Sequence, residues 1–359
     1  MDPSVINLAE LKKKAGIIDE LMKRYFSRKT CEANGFISNC SGNAIRSHSI
    51  SKQYLKMIAS KDSHVYCFDD SIFGMIERGG NAGLKKVGIN KASTINMFCI
   101  KHDKELFSPI EDEELVPTEE QCLRLMYRSL MREKYLKESQ SIVWNNIINN
   151  MSSQFDPKMI DWALEGSWYA LQDADAINAS VCSAIKNNDT SKLRALRILY
   201  RNMPGFLCAG SFFPEFDYNG SPLWGVHSII PTRDVLSINL VPFLDKNNNK
   251  YEGVAVLSWL DNPEQTYCKQ FIESMHHIPM SDVSNVLTYI IFEYIENICI
   301  SPLWWESQKK GLHKALLELH CIQDHSSIQY KDIKIQCDSG NAAEAQLWNG
   351  QEWEFFSFL

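Results

Sequence analysis

Four residues in the first third of the chain, Cys31, Cys40, Cys99 and His102, constrain its fold more than any other feature. Thiolate sulfur and imidazole nitrogen are the donors that tetrahedral zinc prefers, and a Cys-x-x-His pair offers two of them from one helical turn. Cys31 and Cys40 bracket a turn (Glu-Ala-Asn-Gly) and a β-prone Phe-Ile, which predicts a hairpin that brings two thiolates together. The run from Cys99 to Phe107 reads as the start of a helix. A hairpin pair plus a helix-start pair is the plan of a treble-clef site, so a structural zinc is the expected cofactor. His48 follows the second cysteine and stands outside this set, free to meet a substrate.

The remaining cysteines lie mostly within apolar runs and are expected to fill core. Eleven cysteines in a chain whose start, MDPSVINLAELKKKAG, lacks a charged-then-apolar leader read as reduced thiols in a cytoplasmic protein. No apolar stretch is long enough to span a bilayer, so no membrane partner is expected. The length of 359 residues exceeds one ordinary core. Charge is unevenly distributed: residues 1–110 hold 17 Lys+Arg against 11 Asp+Glu, and the rest holds 20 against 33. A polyanion such as nucleic acid would be drawn to the basic third and repelled by the remainder.

The pattern predicts an α+β protein. Residues 1–116 comprise an N-terminal helix, with Val5, Leu8, Leu11, Ile17, Leu21, Met22 and Tyr25 at roughly helical spacing, and the zinc module. Within that module, 51–60 reads as a short helix, and 64–68 and 84–89 as strands. Residues 117–203 read as helical. Thr118-x-x-Gln121 is a capping box before an apolar face of Leu123, Met126, Tyr127 and Leu130. Helical patterning restarts at Asp156-Pro157, and a further helix is expected at 190–202. Residues 204–359 read as an α+β domain of unassigned role. It contains turn chemistries, a half-buried strand in GVAVLSWL, helices over 283–298 and 304–319, and a terminal hairpin in QLWNGQEWEFFSF.

The order cysteine pair, strand-ending histidine, insertion and Cys-x-x-His at a helix start resembles the HNH, or ββα-metal, nucleases over residues 31–107. The resemblance implies a metal-dependent endonuclease that hydrolyses phosphodiester bonds, in DNA ahead of RNA. By position His48 would be the general base that activates water, and Asp103 would hold a catalytic divalent cation, Mg or Mn. Asn90 and Asn96 both qualify as the middle polar residue, with Asn96 the nearer to Cys99. Where the family often carries an acid before its histidine, this chain has Ser47. Arg46, Lys52 and Lys101 are close enough in sequence to grip backbone phosphates. The acidic C-terminal half would then sense, bind a protein partner or self-associate, as in bacterial defence or toxin-type nucleases. The alternative is a non-catalytic protein whose zinc module holds its fold and binds nucleic acid or protein.

Other candidate groups have structural readings. Glu215 and Asp217, with His227 downstream, read as a polar turn. Glu293 and Glu296 read as structural partners of the Trp304-Trp305 segment, and His276-His277 as a solvated pair. Gly79, Gly80 and Gly83 lack the lysine that a phosphate-cradling loop requires.

Overall fold

The computed structural model describes residues 7–33, 35–223, 234–245, 250–320 and 342–359. Val5, His227, Cys321 and Cys337 lie outside them. The amphipathic start forms α1 (Leu8–Tyr25), capped by the Asn7 side chain, which accepts from the amides of Ala9 and Glu10. The next segment contains β1 (Arg46–His48), α2 (Lys52–Ile58), β2 (His64–Phe68), α3 (Ile72–Glu77), β3 (Leu84–Gly88), β4 (Thr94–Asn96) and α4 (Ile100–Glu111). Two long helices follow, α5 (Glu119–Met151) and α6 (Pro157–Asn187). Thr118 and Gln121 close a reciprocal capping box at the start of α5, and the expected apolar face of that helix is buried.

Beyond them the chain forms β5 (Leu193–Tyr200), β6 (Phe206–Phe212), β7 (Leu236–Asp245) and β8 (Lys250–Leu260). Then come α7 (Tyr267–Ser274), α8 (Val283–Tyr294), β9 (Ile298–Ile300), α9 (Pro302–Ser307), α10 (Lys310–Leu319), β10 (Ala342–Trp348) and β11 (Trp353–Phe355). The α+β class holds, and β10 and β11 form the expected terminal hairpin. No helix among the described residues is long and apolar enough to cross a membrane.

Among the described residues, nine strands form one sheet in the order β11-β10-β5-β8-β7-β6-β9-β2-β3, with all neighbours antiparallel. Strands β2 and β3 from the first third of the sequence thus join strands that follow residue 192. Strands β1 and β4 pair separately, with His48 opposite Thr94. One sheet face, carrying Ala195, Val254, Val256, Leu207 and Cys299, shares a core with α5. The other face, carrying Leu196, Ile198, Ala255 and Leu257, packs against α7, α8 and α10. At one end the sheet is closed by β3, whose Lys85 and Lys86 are exposed, a charge pattern that discourages pairing with another strand.

This double cover explains the first two of three departures from expectation. Residues 190–202 contain a strand, not a helix: β5 pairs with β8 from Leu193↔Leu260 to Tyr200↔Gly253. Its faces both take apolar side chains, so the two-residue alternation is hidden, and tertiary pairing overrides the helical propensity of Leu, Arg and Ala. For the same reason GVAVLSWL is buried on both faces, with Val254 through Trp259 all covered. The helix expected over 283–298 ends at Tyr294, and its last residue begins β9, which inserts between β6 and β2.

Candidate metal centre

The 29–45 loop is laced to the strand end before α4. Glu32 N–H donates to Met97 O (2.8 Å), Ala44 N–H to Lys29 O (2.9 Å), and Ile45 N–H to Phe98 O (2.8 Å). The described part of the Cys31–Cys40 loop consists of turns and bends with a single bridge residue, Ile37, in place of two hairpin strands; Asn39 within it and Gly42 just beyond it take φ of +64° and +109°. Glycine takes such a φ without steric cost. These links carry Cys31 and Cys40 to the start of α4, where Cys99 is the cap residue and His102 lies in the first turn.

There Cys31, Cys40, Cys99 and His102 converge, their ligand atoms all within 4.8 Å of one another. Cys40 Sγ and Cys99 Sγ are 3.8 Å apart, and Cys31 Sγ is 3.3 Å from His102 Nδ1. Zinc–sulfur bonds of about 2.3 Å at tetrahedral angles give a sulfur–sulfur edge of about 3.8 Å. Cys31, Cys99 and His102 are buried, so the cluster is closed on most sides. His102 Nε2 lies 3.3 Å from Ser38 O. A carbonyl can only accept, so Nε2 carries the hydrogen and Nδ1 presents its lone pair to the sulfurs. Metal-binding histidines are habitually oriented by such a bond from the second ring nitrogen.

The thiols are poised differently. Burial pushes the Cys31 thiol up to about 11. Burial works against the Cys99 thiolate too, yet hydrogen bonds from Ser41 and the His102 amide pull it down to about 6. Its place at a helix N-terminus favours the same anion. Three thiols and one imidazole, with an oriented ring and no carboxylate, fit zinc in chemistry and in size.

His48 is not a fifth member of this cluster. It ends β1, is half-buried, and its Nε2 lies 2.9 Å from Ile89 O. The same acceptor argument places the hydrogen on Nε2 and leaves Nδ1 as the basic nitrogen. Asp103, next to His102, is half-buried. Burial raises its carboxyl, opposed by the Ser47 hydroxyl, Arg128 and His48, while Glu111 pushes with burial. Asn96 donates to Ser27 O (3.3 Å) and stands opposite Arg46, two residues along the ladder from His48. Asn90 is exposed, as are Arg46, Lys52 and Lys101.

Several neighbours of this region were silent in the sequence. Arg128 of α5 is buried, pairs with Glu111 (2.8 Å) and lies over the Phe107 ring at 4.0 Å. Asn297 donates to Ser49 Oγ (3.0 Å) and Ala209 O (2.9 Å), and Ser49 Oγ meets Ser93 Oγ at 2.7 Å. That network ties the residue after His48 to the large sheet. Elsewhere, Asp217 accepts from the Asn219 and Ser221 amides, the polar turn expected there. His276 is not simply solvated: it stacks on Phe356 and bonds Ser357 O.

Comparison with known proteins returned no match, whether to protein-family models, to curated proteins or to solved structures.

Proposed function

We propose that the chain is a zinc-stapled, metal-dependent nuclease of HNH type in which His48 is the general base. The observation that carries this reading is the Nε2 contact of His48 with the Ile89 carbonyl, which leaves a lone pair on Nδ1 outside the Cys3His cluster, on a ring whose charge acts on the Asp103 carboxyl. In this scheme Nδ1 takes a proton from water, and the water oxygen attacks a phosphodiester phosphorus as a strand oxygen departs. Asp103, with phosphate oxygens, would hold Mg or Mn, cations that accept few protein ligands and keep several waters. Such a cation supplies charge to the departing oxygen. Arg46, Lys52 and Lys101 offer exposed cations for backbone phosphates, which favours DNA or RNA as partner without base specificity. Zinc, held by Cys31, Cys40, Cys99 and His102, serves the fold.

The test is a nicking assay with magnesium or manganese on purified protein, with zinc quantified in parallel. His48→Ala is expected to lose about 10²–10⁴-fold in cutting with zinc content unchanged. Undiminished cutting in that variant sinks the assignment.

A second reading rests on Ser47. This neutral residue stands where the family often has an acid, and its hydroxyl is buried without a hydrogen bond of ordinary geometry. Read so, the module is a zinc-stabilised binding element without turnover. Stoichiometric zinc with retained nucleic-acid or protein binding and no cleavage under any divalent cation is its expected signature.

A further inference from the structure

A cavity of about 880 Å³ lies between α1, the β2–β3 hairpin, α5 and the segment that leads into β9. Its lining includes Cys67, Lys85, Arg132, Glu296 and Asn297. Behind Cys67 sits Cys299, 1% exposed, with a sulfur–sulfur separation of 3.8 Å. The antiparallel pairing of Tyr66 with Ile300 sets Cys67 directly opposite Cys299 on adjacent strands. Facing residues of an antiparallel pair have Cα atoms about 4.5–5.5 Å apart, inside the range a disulfide spans, so side-chain rotation alone can close the bond.

The two sulfurs differ in access and in character. Cys67 is half-buried and opens on the cavity, whereas Cys299 is walled in between β2 and β6. A hydrogen bond from Cys299 lowers the Cys67 thiol against its burial, and Lys85 adds to the effect. The same contact, together with burial, raises Cys299 well above the ordinary thiol value. A partly accessible thiol that opens on a cavity, is eased toward ionisation by Cys299 and Lys85 against the opposing charge of Asp70, and is backed by a second thiol 3.8 Å away, is the arrangement that reacts with oxidants. Cys208, one strand further in, is fully buried and has no such opening.

We propose that Cys67 and Cys299 form a thiol oxidation site for a small hydroperoxide that enters the cavity. Cys67 thiolate attacks one oxygen of hydrogen peroxide, the O–O bond breaks, and the departing hydroxide takes a proton to become water. The product is Cys67 sulfenic acid. Cys299 sulfur then attacks Cys67 Sγ, the S–O bond breaks, and the Cys299 proton leaves with the hydroxide as a second water. Two thiols are oxidised to one disulfide, and one peroxide is reduced to two waters.

Reduced, metal-loaded full-length protein treated with one equivalent of hydrogen peroxide, alkylated and digested without reductant tests this directly. The expected product is the Cys67 peptide joined to the Cys299 peptide, two hydrogens lighter than the separate pair, with the metal retained. In Cys299→Ser the reaction should stop at sulfenic acid, and a 1,3-dione probe should label Cys67. Cys67→Ser should leave Cys299 unoxidised. Loss of the metal with oxidation of Cys31, Cys40 or Cys99 while Cys67 stays reduced would overturn the proposal. So would oxidation of Cys299 at an unchanged rate in Cys67→Ser. Where a serine variant does not fold, the peptide map of the unaltered protein decides alone.

Discussion

Four polar donors within 4.8 Å of one another hold the Cys31–His102 centre, while the nine-stranded sheet is held by apolar side chains on both faces. The donors gain little from each other without a cation, because thiolates repel and neutral thiols waste their lone pairs. Sheet residues need no ligand, since burial alone stabilises them at about 25 cal/mol per Å². Dependence on an ion and dependence on packing thus occupy one molecule, and each should fail under a different insult.

Removal of the metal should have the largest effect. Structural zinc contributes on the order of 10 kcal/mol in small domains. Chelation, or Cys99→Ser, should therefore expose residues 29–50 and 97–111 to amide exchange while β5 to β8 stay protected. Equal loss of protection in both regions would show that the centre and the sheet are one cooperative unit. Acid should act on the same side of the divide. In the metal-free chain the lowered Cys99 thiol contributes stability above its ordinary 9.0 that is lost as pH falls through about 6. The raised Cys31 thiol contributes stability below 9.0 that is lost as pH rises through about 11. Zinc binding near pH 8 must then expel a proton from Cys31, readable as a buffer-dependent calorimetric heat.

Phe292→Ala attacks the other side. This ring is fully buried against Phe68 and Phe206, so its removal should cost about 3–5 kcal/mol in denaturant midpoint analysis with metal content unchanged. Asn297→Ala lies between the two regions, since it strips partners from both Ser49 and Ala209. A loss of about 1–3 kcal/mol is expected, together with faster exchange at residues 48–50. The smallest effect belongs to Thr118→Ala, which opens the capping box of α5 for about 1 kcal/mol and should leave the centre intact.

The cluster was legible because metal ligands declare themselves by residue type, and Cys99-x-x-His102 adds a fixed spacing. The start of α5 was legible because its capping box is local. Strand β5 was not, since two covered faces erase alternation, and β9 was too short to signal beside the apolar end of α8. The cavity could not be read at all. Cys67, Arg132 and Asn297 come from three parts of the chain, and only the insertion of β9 beside β2 places them together.

That insertion also has a consequence for how the chain is made. Strand β2 leaves the ribosome with one edge paired to β3 and the other edge open, and the strand that covers it is encoded more than 200 residues later. At translation rates of about 5–20 residues per second the open edge waits for roughly 10–40 seconds. An early-acquired metal ion would keep the nascent N-terminal segment compact through that delay, and the arrival of Ile298–Ile300 would complete the sheet.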